Sequence, residues 1–185
     1  MVKVKVSVEA IKRLREKTGA PLGDVRSALE AAAGDEAKAT VLLTQKGFEA
    51  ARKRQDRATG AGRIDAYVHH DGRVAALVEV NCETDFVARL PEFQQFCRDV
   101  AMQVASQRPL CVRKEDLAAR HLEPAKSLST SHDEFAKEAC LLEQPFIKDQ
   151  GQTIAQYLTS LIAKTGENIV VRRFTRFALG EEPNV

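Results

Sequence analysis

The stretch Arg63-Ile64-Asp65-Ala66-Tyr67-Val68-His69-His70-Asp71-Gly72-Arg73-Val74-Ala75-Ala76-Leu77-Val78-Glu79-Val80 decides the fold. Two β-rich runs with a period of two flank Asp71-Gly72, a dipeptide that tolerates the positive φ values of a type I′ turn. We read residues 63–70 and 73–80 as two antiparallel strands. Downstream, Pro91 suits the first turn of a helix that carries Phe93, Phe96, Cys97, Val100, Ala101 and Val104 on one face. Cys97 on that stripe serves as a small core hydrophobe. Residues 108–130 are harder to read: Arg108-Pro109 ends the helix, and Ser127, Ser129, Thr130 and Ser131 suggest a loop. Ser131 and Glu134 have capping-box spacing before a short helix to about Cys140. Thr153 and Gln156 repeat that spacing before a helix bearing Ile154, Tyr157, Leu158, Leu161 and Ile162, which stops at Gly166. Asn168 to Leu179 is β-branched and aromatic enough to supply a third strand. Residues 63–185 therefore read as an α+β domain, an antiparallel three-stranded sheet packed with helices.

Upstream the period changes to that of helices. Residues 1–47 hold three apolar stripes, each punctuated by a glycine. The first is Val8, Ile11 and Leu14, with Ser7 as N-cap and Gly19 just past the end. The second is Val25, Ala28, Leu29 and Ala32, ending at Gly34; the third starts from Asp35, carries Ala37, Val41 and Leu42, and ends with Lys46 before Gly47. Short loops make this a three-helix bundle. Leu22 falls in the turn-rich connection Thr18-Gly19-Ala20-Pro21-Leu22-Gly23, where an apolar side chain either tucks back or meets a partner. Residues 48–62, FEAARKRQDRATGAG, turn basic and then Gly-rich and read as a helical linker fraying into the domain boundary.

The chain of 185 residues is long enough to bury a core without metal or disulfide staples. Its 28 basic and 26 acidic side chains remove the simplest case for a nucleic-acid binder. The balance hides two halves: residues 1–60 hold 13 Lys/Arg against 8 Asp/Glu, a net +5, and the rest hold 15 against 18, a net −3. No apolar run approaches the roughly 18 to 20 residues of a membrane span, and the start lacks a continuous apolar stretch. A cytoplasmic location is expected, with Cys82, Cys97, Cys111 and Cys140 as free thiols.

Signals of enzymatic chemistry are weak. There is no nucleophile elbow, phosphate-binding loop, dinucleotide fingerprint or H-E-x-x-H motif. His69-His70 reads as an exposed doublet beside a turn, without further ligands at metal-binding spacing. Cys82 could pair with a distant His only if the fold joined them. The segment Asn81-Cys82-Glu83-Thr84-Asp85-Phe86-Val87-Ala88-Arg89 is different, because it leaves a strand and enters a helix with a carboxylate beside a large aromatic. It admits two readings. In one, Thr84 or Asp85 caps the helix and Phe86 packs on the sheet; in the other, a rigid turn presents Phe86 as a wedge and Asp85 as a charge to a partner.

These residues also carry a resemblance. Leu14-Arg15-Glu16-Lys17-Thr18-Gly19-Ala20 with Asp24 and Ala28-Leu29, then Glu79-Val80-Asn81-Cys82-Glu83-Thr84-Asp85-Phe86-Val87-Ala88, resemble the two signature regions of bacterial elongation factor Ts. The likeness extends to Leu141-Leu142-Glu143-Gln144-Pro145-Phe146 and to Gly166-Glu167-Asn168-Ile169-Val170-Val171-Arg172-Arg173-Phe174, in order along nearly the whole chain. It implies a guanine-nucleotide exchange factor for elongation factor Tu that performs no covalent chemistry and needs no cofactor, metal or catalytic residue. The helical unit would resemble a ubiquitin-associated domain and grip the GTPase through Leu14, Arg15, Leu22 and Gly23. Thr84, Asp85, Phe86 and Val87 would intrude near the partner's magnesium and switch helices and so release GDP. Family members often place two adjacent apolar residues where this chain has Leu22-Gly23, and residues 118–140 look shorter than the corresponding helical region. The last strand offers no cysteine, so any homodimer is expected to be non-covalent. Two other classes of function compete. One is a nucleic-acid or ribosome-binding adaptor acting through Arg52, Lys53, Arg54 and Arg57; the other is a scaffold that binds without exchanging nucleotide.

Overall fold

The computed structural model describes residues 6–119 and 131–181, which fall into two units. The first comprises Met1–Ala58 with Leu158–Asn168, and the second Thr59–Tyr157 with Ile169–Val185. The expected loop residues Ser127, Ser129 and Thr130 lie outside the described residues.

In the first unit, α1 (Val8–Thr18), α2 (Leu22–Ala31) and α3 (Glu36–Arg52) pack together. Side chains that accept orphan backbone N–H groups start two of them: Ser7 Oγ from Ala10, and Asp35 Oδ1 from Lys38. Gly19 ends α1 in the left-handed region at φ 67°. The core is Leu14, Val25, Ala28, Leu29, Ala32, Ala39 and Leu43. This corrects the expected phase of α3. Val41 and Leu42 face outward, Ala37 is exposed, and the inward stripe is Ala39, Leu43 and Gly47, at i, i+4 and i+8. Gly47 does not stop the helix. A Cβ there would stand 3.0 Å from Thr159 Cγ2 of α8 (Ile154–Thr165), so glycine permits a close approach inside α3. Val8 is also exposed, and the buried face of α1 centres on Leu14 with Ala10 and Ile11 packed beside it.

In the second unit β1 (Ala61–Val68), β2 (Val74–Cys82) and β5 (Ile169–Ala178) form one antiparallel sheet in the order β1-β2-β5. The hairpin turn is longer than the expected type I′. His69 N–H donates to Val74 O and Gly72 N–H to His69 O, and of the turn residues only Gly72 has positive φ, 68°. Asp71 keeps a negative φ because its Oδ1 accepts the Arg73 N–H at 2.9 Å, which also holds its carboxyl below the usual range. Ala61 and Gly62, read above as linker, are strand residues. Gly62 pairs with Asn81 at φ 149°, and a Cβ on it would lie 2.4 Å from Val80 O and 2.7 Å from Asn81 Cα.

Helix α5 (Pro91–Gln107) packs on β1 and β2, burying Phe93, Phe96, Cys97, Val100, Ala101 and Val104 as the periodicity requires. Burial pushes the Cys97 thiol up to about 12. α5 also buries Asp99 and Gln103, polar positions whose partners lie far along the chain. Gln103 Nε2 donates to Gln144 Oε1 and to Pro145 O, both at 3.1 Å, and its Oε1 accepts the Ile147 N–H at 3.0 Å. Asp99 accepts from Lys148 Nζ at 2.7 Å and Tyr157 Oη at 3.1 Å. These bonds satisfy buried groups and anchor the Leu141–Phe146 region to α5.

The structure adds α6 (Lys114–Ala119), within the stretch whose pattern is hard to read, and a two-stranded sheet of β3 (Pro145–Phe146) and β4 (Asp149–Thr153). α7 (His132–Ala139) begins with both reciprocal bonds of the Ser131/Glu134 capping box. α8 begins with the matching pair between Thr153 and Gln156. No helix among the described residues is long and apolar enough to cross a membrane.

Candidate functional site

The strand β2 ends at Cys82, and the chain then turns into α4 (Asp85–Ala88), a single helical turn. Three features fix that turn. Cys82 is fully buried and its Sγ donates to Thr84 O at 3.2 Å; Thr84 is the N-cap, its Oγ1 accepting from Val87 N–H at 3.4 Å; Val87 and Ala88 are buried as α4 packs on β1, β2 and α5. Burying one such aliphatic side chain stabilises by about 1.5–3 kcal/mol, enough to hold a four-residue helix that propensity alone would not sustain. Cys82 is thus spent on shaping the turn.

With Val87 and Ala88 inward, the helical period turns Asp85 and Phe86 out. Phe86 is 84% exposed, the highest value among the large exposed hydrophobic residues. Of the first reading of this segment the Thr84 cap is present, but Phe86 does not pack on the sheet. The Asp85 carboxylate is exposed and has no side-chain hydrogen bond or ion pair among the described residues. The arrangement is a short projection with an exposed apolar ring and an exposed carboxylate at its tip.

The residues expected on the helical unit separate into two sorts. Leu14 is 1% exposed at the centre of the three-helix core, where it shapes the surface from beneath. Arg15 is exposed. Leu22 and Gly23 are not in a loop but in the first turn of α2, and Leu22 is 57% exposed with no tucking back. A Cβ on Gly23 would meet nothing within 4 Å, so packing does not require glycine there. The outward phase of α3 adds exposed apolar residues that the sequence pattern assigned to the core or passed over: Val41, Leu42 and Phe48. A helical wheel phased on Leu43 and Gly47 would have found them.

The basic segment after α3 is not a uniform charged stripe. Arg54 turns inward, its Nη1 donating to Ala50 O at 3.0 Å, and Asn168 Nδ2 donates to the carbonyls of Gln55 and Arg57. His69 and His70 stack edge-on at the hairpin, with Tyr67 Oη 3.0 Å from His69 Nδ1. Among the described residues no group of three or more His, Cys, Asp or Glu is placed to hold a metal ion.

Comparison with known proteins fits this picture. The family described as "Elongation factor TS" matches residues 35–134 and 129–181. Similar proteins named elongation factor Ts include that of Carboxydothermus hydrogenoformans, 44% identical over 95% of this chain and 90% of its own length. That of Rubrobacter xylanophilus is 44% identical over 93% of this chain and 98% of its own, and that of Heliobacterium modesticaldum 41% over 95% and 91%. The matches run through both units and through the Thr84–Val87 turn, and the chain belongs to the elongation factor Ts family.

Proposed function

We infer that this chain is the guanine-nucleotide exchange factor of elongation factor Tu in translation elongation, not an enzyme, and that Asp85 and Phe86 are the side chains it drives into the GTPase. The observation that carries the assignment of the two residues is the 84% exposure of Phe86 beside an unpaired carboxylate on a turn whose other two residues are buried. Phe86 enters an apolar pocket between the partner's elements while Asp85 competes with the acceptors that hold its magnesium. Loss of the metal weakens the phosphate contacts, and GDP leaves.

Magnitudes show what the wedge must be helped by. Accelerating release by about 10³ to 10⁵ removes about 4–7 kcal/mol from the barrier. Burying one Phe supplies about 1.5–3 kcal/mol. The remainder comes from the rest of the interface, to which Arg15 and Leu22 of the helical unit contribute. By reciprocity GDP weakens the factor's binding as much as the factor weakens GDP's, so the nucleotide-free partner binds it best and entry of GTP displaces it.

A second copy of this chain is proposed as a further partner, on one observation: Ile64, Val68, Leu77 and Phe177 leave an apolar stripe exposed on one face of the sheet. All four cysteines are buried, so such a pair is non-covalent. Light scattering should give the same mass with and without reductant; a mass that halves on reduction would refute a non-covalent pair. The exchange reading itself is tested by release of fluorescent GDP from elongation factor Tu with and without this protein.

A further inference from the structure

The pairing of β2 with β5 contains one irregularity. Glu79 pairs with Arg173 but Val80 pairs with Val171, which leaves Arg172 as an extra residue in a β-bulge. In a regular strand neighbouring side chains point to opposite faces. Here Arg172 and Arg173 are both exposed and both line one open cleft of about 620 Å³, with Arg113 from the segment before α6 and a floor that includes Val112 and Val171. A bulge sacrifices ladder regularity and re-aims a side chain, which is why bulges concentrate beside binding sites.

The charges in the cleft are unequally committed. Glu79 is held by Arg173 Nε at 2.7 Å, and Asp116 Oδ2 accepts the Arg113 N–H at 3.0 Å. The guanidinium groups of Arg113 and Arg172 have no hydrogen bond or ion pair among the described residues. Two guanidinium forks lining one concavity, Arg113 and Arg172, the latter in the field of Glu79 but without a direct bond to it, match carboxylates, which guanidinium binds through two parallel hydrogen bonds. A polyanion is the wrong occupant: residues 61–185 hold 15 basic against 18 acidic side chains, and that field opposes a string of phosphates while admitting one or two carboxylates. The volume suits a few residues of peptide.

We propose that the cleft of Arg113, Arg172 and Arg173 is a docking site for a short acidic segment of a partner protein. The test is an NMR titration of the full chain with acetyl-Asp-Glu-amide, using acetyl-Asn-Gln-amide and a twelve-nucleotide uridine RNA as comparison probes. The acidic peptide is expected to bind saturably and to shift amides in residues 112–116 and 170–173, and the neutral peptide is not. Arg172→Gln weakens binding about threefold or more, Arg172→Lys less, and Arg113→Gln with Arg172→Gln by about tenfold or more. Arg172 is exposed and outside the ladder pairing, so its replacement leaves the fold intact. The proposal is overturned if the acidic peptide shifts other surfaces or none, if the double variant binds it as the wild type does, or if the RNA binds the cleft more tightly with a steep salt dependence.

Discussion

Replacing Gly62 by alanine tests how the sheet delivers the Thr84–Val87 turn. Gly62 has φ 149°, a region that costs a residue with a Cβ about 1–3 kcal/mol. The added methyl would also lie 2.4 Å from Val80 O and 2.7 Å from Asn81 Cα, both backbone atoms that cannot swing aside. Relief requires β1 and β2 to separate at the Gly62–Asn81 pair, three residues before Thr84. Strain and clash together should cost about 3 kcal/mol, a fall of about 6–12 °C in Tm for a chain of this size. Gly60→Ala is the control: its Cβ meets nothing within 4 Å, and it should stay within about 0.5 kcal/mol of the wild type. Thermal unfolding followed by circular dichroism reads both. If Gly62→Ala melts with Gly60→Ala and the wild type, the close approach of the strands is wrong, and with it the support assigned to the turn.

Two further outcomes follow from burial and from open space. All four thiols are buried, with Cys97 and Cys140 pushed up to about 12 chiefly by burial, so an aromatic disulfide reagent at pH 8 should titrate almost none natively and four after denaturation; rapid native reaction of even two would contradict the packing of α5 and α7. Gly23→Ala fills empty space in the first turn of α2 and should stabilise the chain by up to about 0.5–1 kcal/mol by urea denaturation, whereas a loss of stability would show that glycine is needed there.

What the sequence makes legible is whatever is written locally. Ser7, Asp35, the Ser131/Glu134 pair and the Thr153/Gln156 pair announce helix starts because the bonds they make span three residues. The stripe from Phe93 to Val104 announces α5 because one side of a helix faces one sheet. What stays hidden depends on a neighbour far along the chain. Gly47 and Gly62 look like breakers until Thr159 and Val80 are seen to crowd them. Gln103 looks like a surface residue until Gln144 and Ile147 arrive to satisfy it. The pattern points to the wrong phase for α3 because Val41 and Leu42 are larger than Ala39, yet the small residue fits the bundle interior and the large ones remain outside. The Thr84–Val87 turn lies between these cases. Its cap is local, while the exposure of Phe86 follows from Val87 and Ala88 being claimed by β1, β2 and α5.

The role of Phe86 is tested most directly by release of fluorescent GDP from elongation factor Tu, catalysed by wild type, Phe86→Ala and Asp85→Asn. Because Phe86 is 84% exposed, its truncation should leave Tm within about 2 °C of the wild type. The loss of about 1.5–3 kcal/mol at the wedge should slow catalysed release by roughly 10- to 150-fold. Wild-type release rates from a normally folded Phe86→Ala variant would contradict the account.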